Sequence, residues 1–172
     1  RTPLHAVIGM GHLLMNDNPR VDQLGHLKIL NTASENLLLL INDILDFSKI
    51  EAGKITLEKN AFSLIELVND IQSANQLRAQ EQGNQLLLRL DDQLPVQLRG
   101  DSVRIGQVLN NLVSNAVKFT KNGLVTIEIK LKQIDQTVAL LEIAVTDSGV
   151  GIARENQEKI FQHFTQETSS IT

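Results

Sequence analysis

Apolar residues recur along this chain first with a helical period and later with a strand period. Leu4, Val7, Ile8, Leu14 and Met15 keep mostly helical spacing after Pro3, a residue suited to a first turn. Asn16-Asp17-Asn18-Pro19 is dense in turn formers, so the helix stops and the chain reverses. From about Val21 to Ile50 a second helix follows, in which Leu30, Leu37 and Ile44 repeat every seven residues, flanked by Leu27, Ala33, Leu40, Ile41 and Phe47. So broad an apolar face is too wide for a two-stranded seam. It suits an antiparallel helical hairpin that packs on another hairpin, a four-helix bundle on dimerisation. Glu51-Ala52-Gly53-Lys54 closes the long helix, and 55–60 reads as a linker.

Beyond the linker the pattern changes. Leu64, Ile65, Leu67, Val68, Ile71, Ala74 and Leu77 mark an amphipathic helix over Leu64 to Gln82, ended by Gly83-Asn84. Gln85 to Leu90 is a short strand, and Asp91 to Pro95 a turn before Val96 to Gly100. The next helix, Asp101 to Thr120, opens with Asp101 or Ser102 as N-cap and has Val108, Leu109, Leu112, Val113 and Ala116 as its apolar face. After the turn at Lys121-Asn122-Gly123, Val125, Ile127, Ile129 and Leu131 alternate with Thr126, Glu128, Lys130 and Lys132, a half-buried strand. Thr137 to Thr146 pairs with it antiparallel through Asp135-Gln136. The fold class is therefore α+β: a hairpin over 1–54, a linker over 55–60, and over 61–172 an α/β sandwich with helices on one face of a mixed sheet.

The helix over Asp101–Thr120 carries a second stripe, Arg104, Gln107, Asn111, Asn115 and Lys118. Asn competes with its own backbone and costs several tenths of a kcal/mol per helical position, so Asn110, Asn111 and Asn115 ask for a reason. This helix alone leaves open whether the stripe is a tolerated polar face or a site. Composition narrows the field. The chain is 42% hydrophobic with no cysteine, which suffices for cores and provides neither disulfides nor thiolate metal ligands. A net charge of −4, and five Phe with no Trp or Tyr, argue against a nucleic-acid surface. The longest apolar run, Leu37 to Ile41, is far short of a bilayer span. The abrupt start at Arg1 and the Ser/Thr-rich end read as a fragment.

After the last strand comes Asp147-Ser148-Gly149-Val150-Gly151. Taken alone, an Asp with Gly-x-Gly is an ordinary turn. Arg154 occupies the place of a third glycine, so the dinucleotide fingerprint is not met, and no Walker-type loop is present. Together with the Asn helix, however, it offers what a nucleotide needs. A carboxylate can accept the exocyclic amino proton of adenine, glycines admit a flat base, Lys118 can neutralise phosphate charge, and an Asn oxygen is a hard neutral ligand for Mg2+.

Asn111-Leu112-Val113-Ser114-Asn115-Ala116-Val117-Lys118-Phe119-Thr120 resembles the asparagine box of sensor histidine kinases. Asp147 to Ile152 resembles their first glycine box, and Ile160-Phe161-Gln162-His163-Phe164 their phenylalanine box. Arg1-Thr2-Pro3-Leu4 is similar to the tail of the histidine box, and Leu45 to Gly53 to the end of the second dimerisation helix. The five motifs run in order over nearly the whole chain.

This resemblance implies a homodimeric phosphotransfer hairpin followed by a Bergerat-type ATP-binding domain. ATP and Mg2+ are the implied cofactors and a response-regulator receiver domain the partner. Asn115 is similar to the Mg2+ ligand, Asn111 to its neighbour in the metal and water shell, and Lys118 to a nucleotide contact, so Asn111 and Lys118 carry the implied catalytic roles. Asp147 is similar to the adenine reader, Gly149 and Gly151 to its backbone partners, and Phe161 and Phe164 to anchors of the lid over the nucleotide. Thr2 resembles a residue that positions water for dephosphorylating the regulator. The family's phosphoacceptor would precede Arg1, so no residue of this chain takes that role; His5 falls where the family usually has Asn, and His12, His26 and His163 read as surface or lid residues. The second glycine box is absent, so the isolated chain is expected to bind nucleotide weakly and not to autophosphorylate. The residues after Phe164 are similar to hybrid kinases, and the implied location is the cytoplasmic part of a membrane-anchored sensor. The alternative is a non-catalytic dimerisation and regulator-docking module with a vestigial nucleotide site. A gyrase-like or MutL-like ATPase would carry a Glu where Asn111 stands and would lack the hairpin.

Overall fold

The structure, a computed structural model, describes residues 2–157, apart from the side chains of Thr2, Leu39 and Asp43. It divides into two compact units, Arg1–Thr56 and Leu57–Thr172.

The first unit is a helical hairpin of α1 (Thr2–Asn16) and α2 (Val21–Glu51). Asn18, at φ 45°, makes the reversal, a conformation Asn tolerates better than most residues. The Gln23 side chain then accepts from the Arg20 N–H at 3.1 Å to open α2. At the other end Gly53, at φ 62°, admits the left-handed turn that stops the helix. Asn31 of α2 is buried and abuts Gly11 of α1, where a β-carbon would collide with its side-chain oxygen. The seven-residue repeat lies elsewhere on α2: Leu30, Leu37 and Ile44 are 44%, 48% and 57% exposed in the single chain.

The second unit contains β1 (Asn60–Phe62), α3 (Leu64–Glu81), β2 (Gln85–Leu90), β3 (Leu98–Gly100), α4 (Ser102–Phe119), β4 (Leu124–Ile134), β5 (Ala139–Asp147) and α5 (Arg154–Gln157). Strands β2, β4 and β5 form a sheet in which β2 runs parallel and β5 antiparallel to β4, the mixed sheet expected. Inward-facing Leu86, Val125, Ile127 and Ile129 meet Leu64, Val68 and Ile71 of α3 and Leu109, Val113, Ala116 and Val117 of α4. Antiparallel β1 and β3 form a separate two-stranded sheet that hydrophobic patterning does not reveal. Three residues are too few for alternation to register.

Two apolar faces differ from the sequence reading. Val108 and Leu112 are 60% and 46% exposed, because α4 buries Leu109, Val113, Ala116 and Val117. At about 100° per residue, Val108 and Leu112 fall on the shoulder of that face, beside Asn111 and Asn115. In α3 the buried line runs Leu64, Val68, Ile71, Asn75 and Ala79, leaving Ala74 and Leu77 outside. Asn75 takes a core position because its amide is satisfied there, by the Ile71 carbonyl at 2.9 Å and the Asn110 side chain at 3.0 Å.

Candidate functional site

Helix α4 is fixed at its start by Asp101. One carboxylate oxygen accepts from the Arg104 N–H at 3.0 Å, the N-cap bond, and the other from the Glu58 N–H at 3.2 Å. These backbone donors, Arg104's first, hold the carboxyl below its ordinary range.

The asparagines of α4 divide by role. Asn110 has a structural partner in Asn75. Asn111 and Asn115, one turn apart and exposed, make no side-chain hydrogen bond among the described residues. Arg104 and Gln107 of the same stripe engage each other at 2.8 Å, while Lys118 lies at the other end with Nζ 4.9 Å from the centroid of the Phe119 ring. The stripe thus presents two uncommitted amides and an ammonium in a row.

Asp147 closes β5 opposite Val125, with its carboxylate exposed. The Asp147 Oδ1 accepts from the Gly149 N–H at 2.9 Å, which folds the turn back on the strand end. A β-carbon on Gly149 would collide with the Phe119 carbonyl oxygen, so the turn and the end of α4 touch backbone to backbone. Gly151 has φ 67°, a left-handed conformation that glycine adopts without strain. Ser148, between Asp147 and Gly149, exchanges two hydrogen bonds with Leu124: its Oγ accepts from the Leu124 N–H at 2.8 Å, and its N–H donates to the Leu124 carbonyl at 3.0 Å. The structure therefore brings the C-terminal end of α4, beside Lys118, against the Asp147 turn.

Asn84, in the sequence no more than part of a helix end, has a larger part in the fold. It is buried, and its amide donates to the carbonyls of Val117 at 3.2 Å and Thr120 at 2.8 Å while its oxygen accepts from the Gly123 N–H at 3.0 Å. No local pattern signals this, since its partners lie 33 to 39 residues away. Phe161, His163 and Phe164 fall outside the described residues, as does the side chain of Thr2, which begins α1. His5 and His26 are exposed, and His12 Nε2 stands 3.6 Å from Glu35.

A carboxylate and a close-packed glycine in the turn after β5, with two free amides and a lysine along α4, are groups that suit a purine nucleotide with a hydrated divalent cation. Residues 100–172 match the family of histidine kinase-, DNA gyrase B- and HSP90-like ATPases, which gives this domain its class. Residues 1–53 match the His Kinase A (phospho-acceptor) domain. A phospho-acceptor domain followed by an ATPase domain is the domain pair of a histidine kinase core.

Over all its residues the chain is 36% identical to signal transduction histidine-protein kinase BarA of Escherichia coli (strain K12), covering 19% of that protein. It is 38% identical to autoinducer 2 sensor kinase/phosphatase LuxQ of Vibrio cholerae, covering 20% of it. It thus spans about a fifth of the length of these curated relatives. The crystal structure of full-length ShkA in complex with AMPPNP is similar at a TM-score of 0.76 and 31% identity, over 96% of this chain and 35% of that one.

Proposed function

We propose that this chain is the catalytic core of a two-component sensor histidine kinase. Residues 1–54 serve as the dimerisation and phosphotransfer hairpin, 55–60 as the linker and 61–172 as the ATP-binding domain. The reaction transfers the γ-phosphoryl of ATP to a histidine nitrogen: the bond from phosphorus to the β,γ-bridging oxygen breaks, a nitrogen–phosphorus bond forms, and ADP leaves. The phosphoryl group then passes to an aspartate of a response regulator. Such transfers need little covalent help from the protein; positioning and charge neutralisation supply the rate.

In this reading the Asp147 carboxylate accepts the adenine amino proton, and Gly149 and Gly151 let the base approach the backbone. Asn115 ligates Mg2+, Asn111 orders the metal's water shell, and Lys118 draws phosphate charge to the end of α4; Phe164 contributes from the lid. The cation, when bound, neutralises phosphate oxygens and shares its coordination between them, water and protein. The observation that carries this reading is the contact of the Asp147–Gly149 turn with the end of the asparagine helix, since it joins the base-reading and phosphate-facing groups. The exposed Leu30, Leu37 and Ile44 support a homodimer through the hairpin. Thr2 is assigned to water positioning in regulator dephosphorylation; the relative LuxQ is named a sensor kinase/phosphatase. The location this reading assigns is the cytoplasmic part of an anchored sensor; among the described residues no helix is long and apolar enough to cross a membrane.

The test is incubation of the full-length protein with ATP labelled at the γ-phosphate. Acid-labile, base-stable label that depends on Mg2+ is expected, with loss of labelling in Asn115→Ala. A protein that binds a receiver domain but never acquires such label is a docking module and contradicts the proposal.

A further inference from the structure

We infer that Asn84 is a positioning residue for the nucleotide site, holding the end of α4 and the Asp147 turn in register; this rests on the nucleotide reading above. Asn84 is 5% exposed, and both its side-chain donors and its acceptor are engaged. Its own backbone is held on both sides. Its N–H donates to the Ala79 carbonyl at 2.8 Å after the left-handed Gly83, and the next residue, Gln85, donates to the Gly123 carbonyl at 2.8 Å. An amide anchored in this way grips distant backbone without moving itself.

The grip falls on the residues that bracket the site. Val117 and Thr120 flank Lys118 and Phe119, so fixing their carbonyls fixes the direction in which the Lys118 stem leaves the helix. It also fixes the Phe119 carbonyl, the atom against which Gly149 packs, and Gly149 in turn donates to Asp147. A second route runs through the hairpin. Asn84 accepts from Gly123, whose neighbour Leu124 exchanges two hydrogen bonds with Ser148, adjacent to Asp147. The space between these routes is closed: a β-carbon on Gly123 would collide with Ser148 Oγ and stand 2.7 Å from Thr120 Cγ2. Asn84 touches no nucleotide in this arrangement; it acts on Lys118 and Asp147 through the backbone.

The experiment measures Mg·ATP and adenosine affinity in the full-length protein, together with thermal melting, for wild type, Asn84→Ala, Ser148→Ala and Ile129→Val. Ile129→Val is a core change remote from both routes and controls for lost stability. Asn84→Ala is expected to weaken both ligands by about tenfold or more at a temperature where it is folded. Ser148→Ala, at an exposed position, is expected to weaken them severalfold with little change in melting. Ile129→Val is expected to melt lower and bind as wild type. Saturable wild-type binding with unchanged affinity in folded Asn84→Ala overturns the inference alone. Should Asn84→Ala not fold, Ser148→Ala decides, and wild-type affinity in that variant overturns the inference. Equal weakening in Ile129→Val also overturns it, by showing that any loss of stability suffices. Absence of saturable binding in the wild type overturns the nucleotide reading and the positioning role with it.

Discussion

The carbonyl oxygen of Phe119 occupies the space a β-carbon on residue 149 would need, and only because that residue is glycine do α4 and the turn after β5 meet. The same β-carbon would stand 2.9 Å from Asp147 Oδ1, the atom that accepts from the Gly149 N–H. One missing methyl group thus permits both the helix contact and the fold of the turn that carries the carboxylate.

Gly149→Ala is therefore expected to destabilise the fold by about 1–3 kcal/mol, the usual cost of forcing an atom into packed structure. ATP affinity should fall as well. Gly151→Ala differs, because nothing lies within 4 Å of a β-carbon there and only its φ of 67° opposes the change. About 1–2 kcal/mol is expected for that strain. Urea denaturation and nucleotide titration of both variants check the contrast; wild-type stability in Gly149→Ala contradicts the close contact.

The three asparagines of α4 should separate on substitution. Asn110→Ala deprives the buried Asn75 amide of a partner, with an expected loss of about 1 kcal/mol. Asn111→Ala and Asn115→Ala remove exposed side chains with no hydrogen bond among the described residues, and alanine is the better helix former. Each should leave stability unchanged or raise it by about 0.5 kcal/mol while abolishing Mg2+-dependent nucleotide binding. Parallel melting and binding curves read both quantities. Loss of stability in Asn115→Ala with binding retained would mean that the stripe is structural.

The start of α4 should show acid sensitivity. The Arg104 N–H, and after it that of Glu58, hold the Asp101 carboxyl below its ordinary range in the folded chain. A group with a depressed folded pKa contributes stability above its unfolded pKa and loses it as pH falls through the folded value. Melting temperature should thus drop as pH is taken below the ordinary carboxylate range, and Asp101→Asn should flatten part of that drop. Identical acid profiles for the two proteins would show that Asp101 does not supply it.

The exposed repeat on α2 predicts assembly. Leu37→Lys, at a position 48% exposed in the single chain, should convert the dimer to monomer in sedimentation experiments, whereas Val96→Lys, at an exposed site of the other unit, should not.

Much of this is legible in the sequence because periodicity and turn chemistry act locally. Leu30, Leu37 and Ile44 announce a helix with a second apolar face, and Val125, Ile127 and Ile129 a strand buried on one side. The N-cap at Asp101 and the stop at Gly53 are equally local. Illegible are the features that depend on distant partners. Phe62 pairs with Leu98 across a sheet too short to register, Asn75 is a core residue only because Asn110 meets it, and Asn84 serves Val117, Thr120 and Gly123. Val108 and Leu112 mislead because an apolar side chain need not be buried, and these two border the exposed asparagines. Asn111, Asn115 and Asp147 stand out through ordered motifs, since spacing alone cannot distinguish a polar face from a site.

The most direct measurement is calorimetric titration of Mg·ATP into the full-length protein and its Asp147→Asn variant. Asparagine keeps the size of the side chain but presents an amide in place of the carboxylate proposed to accept the adenine amino proton. Saturable binding by the wild type, weakened about a hundredfold or lost in the variant at unchanged melting temperature, is the predicted result. Equal affinity in the two proteins, or no saturable binding by the wild type, would contradict a nucleotide site built on Asp147 and the asparagine helix.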